Sequence, residues 1–318
     1  MKAAILAAGL GTRLLPLTQV LPKALVPVCH RPLLGILLEQ LAAAGCVQVA
    51  VNTHHLGEEV LHFLGQGGPW GLQVQVSHEP EILGTGGGLR NLARLLGGGP
   101  LLAVNADILT DLDLAALFAR RDPGAVATLV LHDHPPHNNV WLDGAGRVCG
   151  IGPRPPQAVG PPLAYTGIQV VEPGMLTWLP GEGPLDLVAA WRRAIEAGIR
   201  LAALKVAGHF WQDLGSRESY LAAHLRLLAG ESPALGRLLG PLSDPLLAPD
   251  ARVAPGVRFG AGVVLGHRVR VEAGVFLERT VVLDDARLAA GVSLSGCVVG
   301  PGVRVIASAR EAIIVGRG

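Results

Sequence analysis

At 318 residues, half of them apolar, the chain is long enough for two domains, each with its own core. A formal net charge of +1 excludes a strongly basic, sequence-independent nucleic-acid surface, and no apolar run approaches the roughly 20 residues of a membrane span. Cys29, Cys46, Cys149 and Cys297 are scattered, with neither disulfide nor metal spacing, and Met1-Lys2 runs straight into a strand with no room for a signal peptide, so a reducing, cytoplasmic protein is expected.

The first strand reads Ala3-Ala4-Ile5-Leu6-Ala7-Ala8 and breaks at Gly9-Leu10-Gly11-Thr12-Arg13. Two glycines after a buried strand let backbone approach a ligand and turn amide groups toward phosphate oxygens. Arg13 and Lys23 add two cations, which makes a cradle for a polyphosphate. The P-loop spacing is absent, and Leu14 stands where a dinucleotide fingerprint needs its third glycine. The longer pattern is Gly-x-Gly-Thr-Arg-Leu-x-Pro-x-Thr over 9–18, then Pro22-Lys23-x-Leu25-x-Pro27. It resembles the signature of the sugar-1-phosphate nucleotidyltransferases, or NDP-sugar pyrophosphorylases. The resemblance implies nucleotide contacts from Ala7, Ala8, Gly9, Gly11, Thr12 and Arg13, with Arg13 on the departing pyrophosphate and Lys23 on the reacting phosphates.

A helix is predicted over 32–44, started by Pro32 and stopped by Gly45, followed by a strand over 47–51, a helix over 57–64 and a strand over 72–76. Strands alternating with helices at this spacing predict α/β: a Rossmann-like, mostly parallel sheet flanked by helices. Glu79-Pro-Glu-Ile-Leu-Gly-Thr85-Gly86-Gly-Gly88 reads as a loop before a helix over 89–96, its glycines serving as backbone donors near a nucleoside. The resembled family places a Leu-Gly-Thr-x-Gly stretch on the nucleoside, which implicates Thr85 and Gly86.

Leu101 to Val104 is a buried strand leading to Asn105-Ala106-Asp107, with the carboxylate where an open α/β sheet binds ligands. Asp111 and Asp113 are better helix-cap candidates, leaving Asp107 for chemistry. The family's strand-Asn/Gly-x-Asp motif implies that Asp107 binds magnesium. A strand over 125–131 precedes His132, His134 and His137, which two prolines interrupt, so zinc is not expected. Residues 140–148 read as a hairpin. Asn138 and Asn139, and Tyr165-Thr166-Gly167-Ile168, match family segments at the sugar pocket. Relatives carry Glu-Lys-Pro for the sugar phosphate; here Gly152-Pro153-Arg154-Pro155 offers Arg154 as the substitute. Trp211-Gln212-Asp213-Leu214-Gly215-Ser216 matches the Trp-x-Asp-x-Gly-Ser/Thr motif that implies the second magnesium carboxylate, Asp213, while Ser216 suits a helix cap with Ser219.

From Val253 an aliphatic residue recurs every six positions, with a small residue fourth and usually Val fifth: the hexapeptide signature of a parallel β-helix. Steps of five at 283–288 and 294–299 interrupt it, and about three coils are expected, left-handed by the resemblance. The expected domains are a catalytic domain over 1–228, a linker over 229–250 and a β-helix over 251–318, the last inviting a homo-oligomer. The implied reaction is NTP plus sugar 1-phosphate giving NDP-sugar and pyrophosphate, with Mg2+ and without nucleic-acid or membrane partners. Mannose-1-phosphate guanylyltransferases are the best match. Uridylyltransferases of N-acetylmuramate 1-phosphate, or of another sugar 1-phosphate, and heptose-1-phosphate guanylyltransferases are alternatives. From other classes stand a hexapeptide acyltransferase, for which the array offers only His267 as a base, and a non-catalytic regulatory subunit.

Overall fold

The computed structural model describes residues 1–65 and 68–316. The described residues form two compact units: residues 1–9, 37–65, 68–108 and 112–209 make one, and residues 10–36, 109–111 and 210–316 make the other.

The first unit is built on a seven-stranded sheet of β1 (Lys2–Leu6), β2 (Gln48–Thr53), β3 (Gln73–His78), β4 (Leu101–Asn105), β5 (Ala127–His132), β6 (Ala164–Val171) and β7 (Leu201–Lys205). Their order is β7-β5-β6-β4-β1-β2-β3, and every pairing is parallel except the two made by β6. Ala3, Ala4 and Ile5 of β1 are wholly buried, as expected for a central strand covered on both faces. The α/β reading of the sequence holds.

The helices are α1 (Leu33–Ala43), α2 (Gly57–Gly65), α3 (Gly84–Leu95), α4 (Leu114–Ala119), α5 (Leu187–Glu196), α6 (Arg217–Leu228) and α7 (Pro233–Leu239). Helix α1 ends where predicted, at Gly45 with φ +77°. Helix α3 departs from expectation, because its first turn is the glycine run itself. The Gly86 and Gly87 amides donate to Leu185 O at 2.8 and 3.2 Å. A Cβ on Gly86 would lie 2.9 Å from that carbonyl oxygen, so these glycines serve close packing and their amides are already committed. Asp113 caps α4, accepting from Ala116 N at 3.0 Å. Asp111 caps nothing: its carboxylate takes the Phe210 amide and the Ser232 hydroxyl, both at 2.7 Å. Ser216 caps α6 in the reciprocal pairing with Ser219.

The second unit carries the solenoid. Three parallel sheets of five, four and four short strands form the left-handed parallel β-helix. The expected three coils prove too few. The first rung is Leu246–Leu247, ahead of the clear repeat, and the last is Ile313–Ile314, so two of the sheets stack four strands each. Arg252 stacks under Arg270, eighteen residues on, whereas Arg270 and Arg287 are seventeen apart and Leu294 and Ala309 fifteen, which accounts for the five-residue steps. Val263, Leu265, Val275, Leu277, Leu288, Leu294 and Val299 fill the interior. A further cluster of the same unit joins Leu14, Leu17, Val26 and Val28 of the signature segment to Tyr220 and Leu227 of α6 and to Val264, Val281 and Val298 of the solenoid.

Candidate functional site

In the first unit the chain steps from β1 outward to β2 and β3, then returns to β4 on the other side of β1. That reversal lies between the carboxyl ends of β1 and β4, the position at which open α/β sheets bind ligands. The β1 end carries Ala7, Ala8 and Gly9, and the β4 end carries Asn105, Ala106 and Asp107. The Ala106 amide donates to Leu6 O at 3.0 Å, which holds the two ends together. Asp107 is half-buried at the turn. A Cβ on Gly9 would meet no atom within 4 Å, so protein packing does not require glycine there; a closely approaching ligand would. The Ala7 amide, by contrast, already donates to Asn52 Oδ1 at 2.7 Å and is unavailable to phosphate.

The Thr85 hydroxyl accepts from Leu187 N at 3.3 Å. With Ile82, Gly84, Pro184, Leu185 and Asp186 it lines a cleft of about 350 Å³. Gly167 has φ +83°, and a Cβ there would lie 2.8 Å from Ile108 Cγ1 and 3.3 Å from Asn105 Nδ2, so only glycine lets this segment pass behind the Asn105–Asp107 turn. The β5–β6 register breaks between Tyr165 and Gln169, a bulge of the kind found beside active sites. Thr166 is fully buried and donates to Val130 O, so its hydroxyl serves the fold. Asn139 is exposed and its backbone pairs with Leu163 and Gly152. The guanidinium of Arg154 stacks on Trp141 at 5.0 Å and donates to Ala158 O and Gly160 O, so here it braces the hairpin.

In the second unit Gly11 takes φ +64°, and a Cβ would lie 2.7 Å from Thr18 Cγ2 and 3.3 Å from Lys23 Cβ. Thr18 donates to Gly11 O at 3.0 Å. The signature is therefore a tight knot in which Thr12 and Arg13 occupy a short 3-10 turn and half-buried Lys23 opens another. Arg13 Nη2 reaches Asp213 Oδ2 at 3.3 Å, two candidates brought together from 200 residues apart. Asp213 Oδ1 is buried and lacks a hydrogen-bond partner among the described residues. A buried carboxylate oxygen left without a donor costs free energy unless a cation or ligand meets it. Gly215 is the residue that sequence reasoning passed over. A Cβ there would sit 2.2 Å from Arg13 Nη2 and 2.6 Å from Asp213 Oδ1, so glycine clears the space in which the pair meets.

No group of three or more His, Cys, Asp or Glu side chains among the described residues has metal-binding geometry. The histidines instead stack: His132 on His134 at 5.1 Å and on His209 at 5.3 Å, with burial pushing His132 down to about 4. All four cysteines are buried, and burial pushes Cys29 up to about 12, which leaves no thiolate nucleophile there. No helix of the described residues is long and apolar enough to cross a membrane.

The first unit is an open α/β sheet whose switch point carries Gly9 and Asp107, and the second unit separately pairs Arg13 with Asp213. The profile of the nucleotidyl transferase family matches residues 2–230, and the chain belongs to that family. An N-acetylmuramate alpha-1-phosphate uridylyltransferase of Neisseria meningitidis is 36% identical over 68% of this chain and 94% of its own length. A mannose-1-phosphate guanylyltransferase of Mycobacterium tuberculosis is 29% identical over 91% of this chain and 81% of its own. A Bacillus anthracis structure described as a glucose-1-phosphate thymidylyltransferase superposes with TM-score 0.60 at 22% identity, over 70% of this chain and 94% of that one, and shares the fold. The protein is thus a sugar-1-phosphate nucleotidyltransferase, a class that generally works with a divalent metal ion.

Proposed function

We propose that the chain transfers GMP from GTP to mannose 1-phosphate, giving GDP-mannose and pyrophosphate. The observation that carries the choice is recurrence: mannose-1-phosphate guanylyltransferases of M. tuberculosis, Oryza sativa and Arabidopsis thaliana each align over 91% or more of the chain, as a glucose-1-phosphate uridylyltransferase of Synechocystis also does. A second reading, uridylyl transfer to N-acetylmuramate 1-phosphate, is favoured by the higher identity over the catalytic part alone.

The chemistry asks little covalent work of the protein. A sugar phosphate, with a second pKa of about 6, is mostly dianionic at pH 7 and needs no base to become a nucleophile. The protein must align it in line with the α-phosphorus and the leaving pyrophosphate and must neutralise charge. Arg13 is assigned to the pyrophosphate, and Lys23 to the α-phosphate or the incoming phosphate. Thr85 is assigned to the nucleoside, where Gly86 could contribute only a close backbone surface because its amide is held by Leu185 O. Asn139 and Gly167 are assigned to the sugar; Arg154 would have to leave Trp141 to join them. Asp107 and Asp213 would hold Mg2+, which favours one or two carboxylates completed by phosphate oxygens, and the orphaned Asp213 Oδ1 fits such a hard cation. When bound, the ion would offset phosphate charge as the α–β bond breaks. We further assign a homo-oligomer through the solenoid and a cytoplasmic location. A pyrophosphate-release screen crossing GTP, UTP, dTTP, CTP and ATP with a set of sugar 1-phosphates tests the reading. GTP with mannose 1-phosphate is expected fastest, and a preference for UTP with N-acetylmuramate 1-phosphate would replace it with the second reading.

A further inference from the structure

We infer that Asn52 is a positioning residue for nucleotidyl transfer: it clamps the cradle at the end of β1 to a buried carboxylate that holds the leading turn of α3. This rests on the nucleotidyl-transfer reading above.

Asn52 closes the apolar run of β2 and is 3% exposed, and Glu79, just past β3, is 1% exposed. Burying an amide and a carboxylate together costs free energy unless their hydrogen bonds are made. Here they form a continuous chain. Ala7 N–H donates to Asn52 Oδ1 at 2.7 Å, Asn52 Nδ2 donates to Glu79 Oε1 at 2.7 Å, and Leu83 N–H donates to Glu79 Oε2 at 3.0 Å. The described residues supply no ion pair to Glu79, so these two donors and the N-terminal end of α3 meet its charge. Three segments widely separated in sequence are thereby fixed to one another: Ala7 beside Gly9, the end of β2, and Leu83 beside Gly84-Thr85.

Gly88 makes room for the clamp. A Cβ there would lie 2.5 Å from Asn52 Nδ2 and 3.1 Å from Glu79 Oε1. If bulk stability were the only requirement, an apolar pair of similar volume would serve as well or better. A polar chain running between a phosphate cradle and a nucleoside loop instead sets their separation, and a displacement of about 1 Å between groups that align a reaction costs about 100-fold in rate.

The test exchanges the two polarities. Asn52→Asp alone sets two carboxylates face to face, and Glu79→Gln alone opposes two amide groups at the donor position. Together they restore one donor and one acceptor with the charge conserved, and Ala7 and Leu83 keep their acceptors. Each single variant is expected to lose about 100-fold in kcat/KM, with KM for the nucleotide raised about tenfold and KM for the sugar phosphate within about twofold. The double variant is expected to return to within about fivefold of wild type. Calorimetric titration with GTP and UTP, each with Mg2+, reads the same loss and recovery without turnover. The inference is overturned if single variants lower Tm but leave nucleotide affinity and kcat/KM per folded molecule unchanged, or if the double variant is no better than the worse single. Wild-type protein that binds nucleotide but never turns over sinks the transfer reading and leaves the clamp to be decided by affinity. Protein that neither binds nor turns over overturns both.

Discussion

Replacing Gly215 by alanine separates catalysis from stability at one atom. The backbone has no objection, since Gly215 is absent from the positive-φ positions. The added Cβ, however, would lie 2.2 Å from Arg13 Nη2, 2.5 Å from Arg13 Cζ and 2.6 Å from Asp213 Oδ1. Ordinary contact begins near 3.4 Å, so the guanidinium and the carboxylate must each retreat by about 1 Å. The Arg13 side chain is 62% exposed and moves freely, whereas Asp213 is only 28% exposed, so the stability cost comes from its carboxylate and is about 1 kcal/mol. The functional cost is larger. A shift of about 1 Å in a group aligned on the leaving pyrophosphate costs about 100-fold, or about 2.7 kcal/mol in the barrier. Continuous pyrophosphate-release kinetics beside a thermal melt reads both quantities. A kcat within about threefold of wild type at an unchanged Tm would refute the role given to the Arg13–Asp213 pair.

Asp107→Asn and Asp213→Asn should each reduce turnover by at least about 100-fold while Tm holds within about 2 °C; a large loss of Tm with turnover intact would make them structural residues. His224 is fully buried, accepting from Cys29 N on Nε2 and donating from Nδ1 to Tyr220 O, and burial lowers it from 6.5 to about 4. The unfolded chain therefore binds the extra proton between those values, so the stabilisation is complete above about pH 6.5 and is lost as pH falls toward 4. At about 1.4 kcal/mol per pH unit, about 2 kcal/mol disappears between pH 6.5 and 5, and denaturant unfolding of His224→Gln should show that much less pH dependence than wild type; equal slopes would contradict the assignment. Light scattering at micromolar concentration should report a dimer or larger, and a monomer would refute oligomerisation through the solenoid. Leu294→Ala, which empties a wholly buried rung of the solenoid, should cost about 2–5 kcal/mol in unfolding free energy; a cost under about 1 kcal/mol would mean that the coils do not depend on stacking.

Features written in short range were legible in the sequence. The signature over 11–27 folds Gly11, Arg13 and Lys23 into one knot, and the six-residue period of the solenoid repeats often enough to be read without the fold. Buried strands ending in Asp107 or followed by glycine announced the α/β sheet. What stayed hidden was set by contacts across long separations. The glycines of α3 read as ligand donors because the Leu185 carbonyl that takes their amides is about a hundred residues away. Asp111 read as a cap because the Phe210 amide and the Ser232 hydroxyl are equally remote. Asn52 and Glu79 belong to no local motif, and only their 2.7 Å contact gives them a joint purpose. Gly215 sat inside a motif already explained by its aspartate. The solenoid gained a coil because Leu246–Leu247, in a Pro- and Leu-rich stretch without the full repeat, pairs with Val264 and Leu265.

Nucleotidyl transfer to a sugar 1-phosphate is measured most directly as pyrophosphate released by the purified protein. The measurement requires the five nucleoside triphosphates to be crossed with mannose, glucose, N-acetylmuramate and heptose 1-phosphates in the presence of Mg2+. Stoichiometric pyrophosphate and NDP-sugar, fastest with GTP and mannose 1-phosphate and abolished by chelation, is the predicted result. Folded protein that releases pyrophosphate with none of these pairs would contradict this activity.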